Sequence, residues 1–405
     1  MTDKKSQLGI ILLTIFIDMV GFGIVIPVLP LYAEHFGASS VANGFLVGVY
    51  SAVQFICSPI FGKISDRFGR RPVLIFSVLG TSLGFWVMGA AGSLAMLFVA
   101  RIIDGVSGGN IGTAQAYIAD ITTPEERSGA MGLIGAAFGL GFIFGPAIGG
   151  VLGGHFGFRA PFYFAACLAL FNALMIYLRL PESLDAEHRA HPAQRQKLAE
   201  VLQHSNRAIF TTVIAIYFFL ITGFSIMTAL YALFMDHRFG FSSKETGYVF
   251  ALIGIIGVII QGGLIRRMVK MYGERKLAAF GAVVLAVSLY LLPRSAGLSA
   301  LLATSAGIAI GNSFLTPTLN GLLSRSVDKR WQGRALGLMQ SSGSLGRAFG
   351  PALAGWLATW DLRAQYGRLP LTVSAGLMVV AFGLVLTLFR EEPAPLSQSA
   401  ELSEG

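Results

Sequence analysis

Long, mostly apolar stretches recur along the chain at 8–32, 43–61, 72–91, 94–119, 129–153, 160–179, 208–235, 246–265, 275–293, 297–323, 333–358 and 369–389. About 20 such residues wound as a helix cross the hydrocarbon core of a bilayer. The pattern therefore predicts twelve membrane spans, numbered 1–12 here in chain order. One long polar stretch, 181–207, separates them into two sets of six, and a polar tail follows at 391–405. The expected organisation is an N-terminal six-helix bundle over 1–180, a central loop over 181–207, a C-terminal bundle over 208–390 and the tail. The first span follows a short basic segment, as a signal peptide would. Its apolar run is too long for one, contains Asp18 and lacks a small-residue cleavage site, so it is read as retained.

Two of these stretches are copies. Residues 132–150 read GLIGAAFGLGFIFGPAIGG and 337–355 read GLMQSSGSLGRAFGPALAG, with nine of nineteen positions identical at an offset of 205. Each copy is a Gly-rich apolar helix with a Gly-Pro step, one in each half. That is the mark of an internal structural repeat. The copies differ most at position 347, where Arg347 replaces the Phe142 of the first.

The composition agrees with a membrane protein. The chain is 54% hydrophobic and 13% charged, against roughly 25% charged in an average soluble domain. The net charge of +9 does not gather into a nucleic-acid-binding patch. With both termini placed in the cytoplasm, 22 of the 30 Lys and Arg fall on the cytoplasmic side, six on the other side, and two inside spans. That bias follows the positive-inside rule for an even number of spans. The cysteines, Cys57 and Cys167, fall within apolar runs without metal-ligand spacing and are read as small buried residues.

Four charges lie well inside spans: Asp18, Arg101, Asp104 and Arg347. A charge at mid-bilayer costs about 2.5–3.5 kcal/mol on insertion scales, so each is expected to face the protein interior with a partner. Arg101 and Asp104 are three residues apart and can pair on one helix face. Asp18 has no partner on its own helix. A carboxylate balanced between desolvation and a nearby cation can load and release a proton. Asp18 is therefore the main candidate proton-coupling group; Arg101 and Asp104, a pair that can equally be structural, join it as proton-coupling candidates only through the family resemblance that span 4 carries. Small residues four apart, Gly105 with Gly109, Gly108 with Gly112, Gly141 with Gly145 and Gly346 with Gly350, suit close helix packing. Pro146 and Pro351 each remove a helix hydrogen bond and permit bending.

Between spans 2 and 3 the chain reads Gly62-Lys-Ile-Ser-Asp66-Arg67-Phe-Gly69-Arg70-Arg71. This loop resembles the signature loop of the major facilitator superfamily. Asp18-x-x-Gly21 in span 1, Arg101-x-x-Asp104-Gly105 in span 4 and Gly141-x-x-x-Gly145-Pro146-x-x-Gly149-Gly150 in span 5 are similar to motifs of its drug:proton antiporter branch. Ala116-Tyr-Ile-Ala-Asp120-Ile-Thr is similar to bacterial tetracycline exporters. The resemblance implies an all-α membrane fold of twelve helices in two pseudo-symmetric six-helix bundles. It also implies a latch in which Asp66 meets the start of span 11 near Gly333 and Arg70 pairs with Asp120, holding the cytoplasmic side shut in the outward-facing state. The second half has only a degraded copy of the loop, around Gly273, without an equivalent of Asp66. One position departs from the tetracycline exporters: Gly84 stands in span 3 where they carry an Asp, so their substrate is not implied with the scaffold.

The resemblance places the substrate between the halves, lined by spans 1, 4, 7 and 10. Phe22, Gln115, Tyr217, Phe224, Tyr231 and Asn312 are the candidate lining residues. The three of these that lie on span 7, Tyr217, Phe224 and Tyr231, recur every seven positions. A greasy pocket with few polar groups suits small amphipathic compounds. The expected activity is proton-coupled efflux by alternating access from a bacterial inner membrane. It would be carried out by a monomer with no cofactor, metal or nucleic acid, and driven by the proton gradient. A uniporter, symporter or lipid exporter on the same fold, or a receptor without transport, are the other readings. No His lies within a span, and no nucleophile–base or phosphate-loop pattern occurs, so no enzyme is expected.

Overall fold

The computed structural model describes residues 4–184, 205–327, 331–361 and 365–389. The rest of the central loop, 185–204, and the tail from 390 onward lie outside the described residues, as does the segment 328–330 that leads into span 11. Among the described residues, twelve helical rods follow one another. They are Lys4–His35, Ser40–Phe68, Arg70–Gly89, Leu94–Ser107 continued by Asn110–Ile121, Pro124–Phe156, Ala160–Arg179, Arg207–Phe239, Ser243–Tyr272, Glu274–Leu291, Leu298–Arg325, Gln332–Ala358 and Arg368–Leu388. Eleven are long and apolar enough to cross a membrane, span 5 through its segment Gly139–Phe156. The exception is span 11, whose Gln340, Ser341, Ser342, Ser344 and Arg347 lower its hydropathy.

Local chemistry sets the helix starts. Ser39, Ser93 and Asn206 each accept a hydrogen bond from a backbone N–H three residues on, the usual N-cap arrangement. Ser242 and Glu245 form a reciprocal capping box at the start of span 8. Gly69 and Gly273 take positive φ of 104° and 80° at the turns after spans 2 and 8. The pseudo-symmetric loops thus share a turn although they do not share Asp66.

The duplicated helix packs the same way in each half. In span 5, side chains at Gly141, Gly145 and Gly149 would strike Met19, Val20 and Ile24 of span 1; in span 11, side chains at Gly346 and Gly350 would strike Thr222 and Ser225 of span 7. The opposite face of each copy crosses to the other half. Gly150 lies on Ser243 and Gly247 of span 8, and Gly355 lies on Ser40 and Gly44 of span 2. The partners carry matching text, Ser39-Ser40-x-x-x-Gly44 and Ser242-Ser243-x-x-x-Gly247. These two glycine seams close the end of the bundle remote from the 62–71 loop. Glu34 and His237 meet at the same end, 3.1 Å apart, as do Ser40 and Tyr366.

Three sequence readings change. Gly112 has open space where a packing partner was expected. Cys57 is partly buried and Cys167 is exposed, because each lies off the packed face of its span. Span 4 is not one continuous helix: it breaks at Gly108–Gly109 and restarts at Asn110.

Candidate functional site

The break in span 4 builds the site. Restarting the helix at Asn110 turns its side chain toward span 1, where the amide donates a hydrogen bond to Oδ2 of Asp18. The other carboxylate oxygen of Asp18 is buried with no partner. Before the break, Arg101 and Asp104 pair at 3.1 Å. The Arg101 guanidinium also lies over the Tyr50 ring, 4.4 Å from its centroid, a cation–π contact strengthened by burial. Arg101 is only 1% exposed, so its charge is held entirely by span 4 and span 2. It does not pair with Asp18.

Asp18, Phe22, Tyr50, Thr81, Asp104 and Asn110 surround one small cavity in the first half, of about 10 Å³. That is room for about one water centre, and both carboxylates border it. Gly84 explains the departure in span 3. A Cβ at that position would lie 3.0 Å from Cβ of Asp104, 3.1 Å from its backbone nitrogen and 3.2 Å from the Ala100 carbonyl oxygen, so spans 3 and 4 pack too closely there for a side chain on span 3 without a shift.

The candidate lining residues divide. Phe22 lies between Tyr50, tilted to it, and Phe142, edge-on to it, with centroids 5.7 and 5.6 Å away. The Tyr217 hydroxyl donates to Gln340 of span 11. Phe224, Gln115 and Asn312 are partly exposed, Asn312 accepting from Thr316. Tyr231 is a correction. It is fully buried in the core of the second half, its hydroxyl 2.6 Å from Ser305 and its ring 5.0 Å from Phe250. Tyr217 is a second correction: at 4% exposed it is buried in the same core. Of the seven-residue stripe only Phe224 stays partly exposed, and Tyr231 is covered where span 7 tucks under spans 8 and 10.

In the signature loop, Arg70 is the hub. It bonds Asp66 at 2.5 Å, Asp120 at 3.3 Å and Ser65 at 2.7 Å. Gly69 allows the sharp entry into span 3. Glu182 accepts from the backbone N–H groups of Arg70 and Arg71, covering the positive end of that helix. The Arg71 guanidinium reaches the Tyr177 carbonyl, and that of Arg67 lies over Phe68. Gly62 receives the Ser65 hydroxyl at its carbonyl. The described parts of this network join spans 2, 3, 4 and 6 and the start of the central loop, all within the first half. It is formed while the glycine seams are closed at the other end. The segment that leads into span 11 and that Asp66 is expected to face, 328–330, lies outside the described residues.

Sequence reading missed Asn110, Tyr50, Gln340 and Glu182. Only Asn110 had a signal: a Gly-Gly step inside a helical pattern marks a break, and the residue after it is a helix start.

Twelve spans, a duplicated Gly-Pro helix and a buried charge cluster at the junction of spans 1, 2 and 4 define a transporter built of two six-helix halves. The family model of the Major Facilitator Superfamily matches residues 11–272 and 263–404. The chain is 33% identical over 388 residues to Multidrug resistance protein 2 of Bacillus subtilis (strain 168), covering 95% of each. It is 33% identical over 372 residues to the class C Tetracycline resistance protein of Escherichia coli, covering 88% of this chain and 92% of that one. Among solved structures, a bacterial homolog of the human lysosomal transporter Spinster, inward-facing and occupied, superposes with a TM-score of 0.78 at 15% identity. That match covers 95% of this chain and 96% of the other. The chain belongs to the Major Facilitator Superfamily, in its drug-resistance transporter branch. It is a multi-pass membrane transporter and not an enzyme.

Proposed function

We propose that the protein is a proton-coupled exporter of small amphipathic compounds working by alternating access, with both termini and the 62–71 loop in the cytoplasm. The observation that carries this reading is Asp18: partly buried in span 1, held by Asn110 through one oxygen, its second oxygen buried and unpartnered beside a cavity shared with Asp104. A carboxylate so placed can exchange a proton with the cavity while Asn110 keeps it in position. The Arg101–Asp104 pair supplies the fixed charge background. Phe22, Phe142 and Phe224, each partly exposed, supply apolar surface for the substrate. The names of the relatives, multidrug, tetracycline and quinolone resistance proteins, accord with this substrate class.

The test is transport in proteoliposomes under an imposed pH gradient, with a panel of lipophilic cations, neutral drugs, lipophilic acids and tetracyclines. An antiporter reverses its net substrate flux when the gradient is reversed. Flux that ignores the gradient would make the protein a uniporter.

The latch belongs to the same proposal. Arg70→Gln leaves Asp66 and Asp120 facing each other without their shared cation. Charge-assisted hydrogen bonds contribute about 1.5–3 kcal/mol each, so transport per molecule is expected to fall by about tenfold, with Arg70→Lys retaining part of the rate. Initial flux normalised to protein in the vesicle checks this, and an unchanged rate in Arg70→Gln removes the network from the transport cycle.

A further inference from the structure

Arg347 is the one intramembrane charge that neither the proton site nor the latch uses. Its direction follows from its neighbours. Gly343, Gly346 and Gly350 of span 11 abut span 7, and Ala348, Pro351 and Gly355 abut span 2. Positions 340 and 347, seven residues apart on a helix, share the strip between those two faces. That strip faces the gap between span 7 of one half and span 2 of the other, not lipid.

The described surroundings of Arg347 are polar, and no described carboxylate lies within ion-pair distance of it. Its guanidinium donates to Ser344 Oγ at 2.9 Å and is within reach of the Tyr217 hydroxyl. That hydroxyl in turn bonds Gln340 at 3.2 Å. Among the described residues, the ion pairs are those of Arg70, Arg101, His237 and Arg325; no carboxylate pairs with Arg347. Arg101 is the contrast. It is matched by Asp104 and sealed under Tyr50, so it cannot meet a ligand. Arg347 is only partly buried. On the first-half side of the gap lie aromatic faces, Phe22 against Tyr50 and Phe142. A membrane-embedded arginine without a protein counter-ion marks a ligand path, and its planar fork suits a carboxylate or sulfonate.

We infer that Arg347, with Gln340 held in place by the buried Tyr217, forms an anion-binding subsite of the substrate cavity, so that the protein accepts amphipathic compounds with an aromatic body and one carboxylate or sulfonate. This rests on the reading of the protein as an exporter, and the test separates the two.

Two probes share a fluorophore and differ in charge: dansylglycine, a carboxylate, and dansylcadaverine, an amine. Each is titrated by fluorescence against the purified full chain in nanodiscs. The wild type is expected to bind dansylglycine more tightly. Arg347→Gln is expected to weaken dansylglycine binding by about tenfold or more while leaving dansylcadaverine binding and the melting temperature unchanged. Arg347→Lys, which keeps the charge and loses the fork, should fall between and serves if the Gln variant does not fold. Equal losses for both probes, no loss for dansylglycine, or a wild type that does not bind dansylglycine would each overturn the subsite. Binding that depends on Arg347, together with no gradient-driven movement of any compound in the panel, would leave the subsite standing and remove the exporter reading.

Discussion

Asp18→Asn is expected to reduce pH-gradient-driven substrate accumulation to background, in either gradient direction, while substrate binding and downhill exchange persist. The substitution is nearly isosteric. Its amide oxygen can still accept from Asn110, as Oδ2 of Asp18 does, and its NH2 points where Oδ1 has no protein partner, into the cavity shared with Asp104. The fold is thus expected to survive, with the melting temperature close to wild type. What is lost is the capacity to take and release a proton. Asp104→Asn makes the useful contrast. It would strand Arg101, 1% exposed, as a buried uncompensated charge, a defect that typically costs about 3–5 kcal/mol. That variant should therefore show lower stability and poor yield, where Asp18→Asn shows a folded but uncoupled protein. Accumulation and proton flux measured in parallel in proteoliposomes decide it. An Asp18→Asn protein that still concentrates substrate would end the proton assignment.

Gly150→Leu is expected to block the cycle by a different route. At Gly150 even a Cβ would lie 2.6 Å from the Gly247 Cα, with the Ser243 carbonyl closer still. No rotamer of leucine relieves a clash with backbone, so spans 5 and 8 must separate and the seam cannot close. The face of span 5 that carries Gly141, Gly145 and Gly149 is untouched, so each half should remain folded. Transport should fall to a few per cent or less, with Gly150→Ala intermediate. A Val47→Cys reporter, in a protein lacking Cys57 and Cys167, reads whether the end held by the two seams is closed. Val47 packs in the cluster that joins spans 1, 7 and 11 at the closed end. In the Leu variant it should react with a membrane-impermeant maleimide added on the side opposite the 62–71 loop. Wild-type transport by Gly150→Leu would show that closure of this seam is not part of the cycle.

The spans, the repeat and the Arg101–Asp104 pair were legible because each depends on spacing within one segment. Hydrophobic runs report what lipid requires of a helix, and residues three apart share a helix face. What was not legible depends on which segments meet. Asn110 reaches Asp18 across 92 positions, and Glu182 caps span 3 across 112; neither distance leaves a local trace. Tyr231 shows the limit of periodicity. Its seven-residue spacing from Phe224 is real, but span 7 passes from the gap between halves into the core along its length, so one stripe meets two environments. Gly84 shows the reverse. Its missing acid set the chain apart from the tetracycline exporters, and the structure adds a packing reason: span 4 lies against span 3 there, with the Cβ and backbone nitrogen of Asp104 and the Ala100 carbonyl at the place of a side chain.

The two glycine seams also bear on how such a protein can be recombined. Each half contributes one glycine of the span 5–span 8 seam and one of the span 11–span 2 seam, crosswise: Gly44 and Gly150 from the first half, Gly247 and Gly355 from the second. A chimaera that joins residues 1–184 to the second half of a relative would inherit one member of each pair and depend on the donor for the other. The halves arose as copies, yet they are now heritable only together. In a library of half-swapped transporters, survivors should be those in which both small-residue pairs are restored, whatever the origin of the substrate-lining residues.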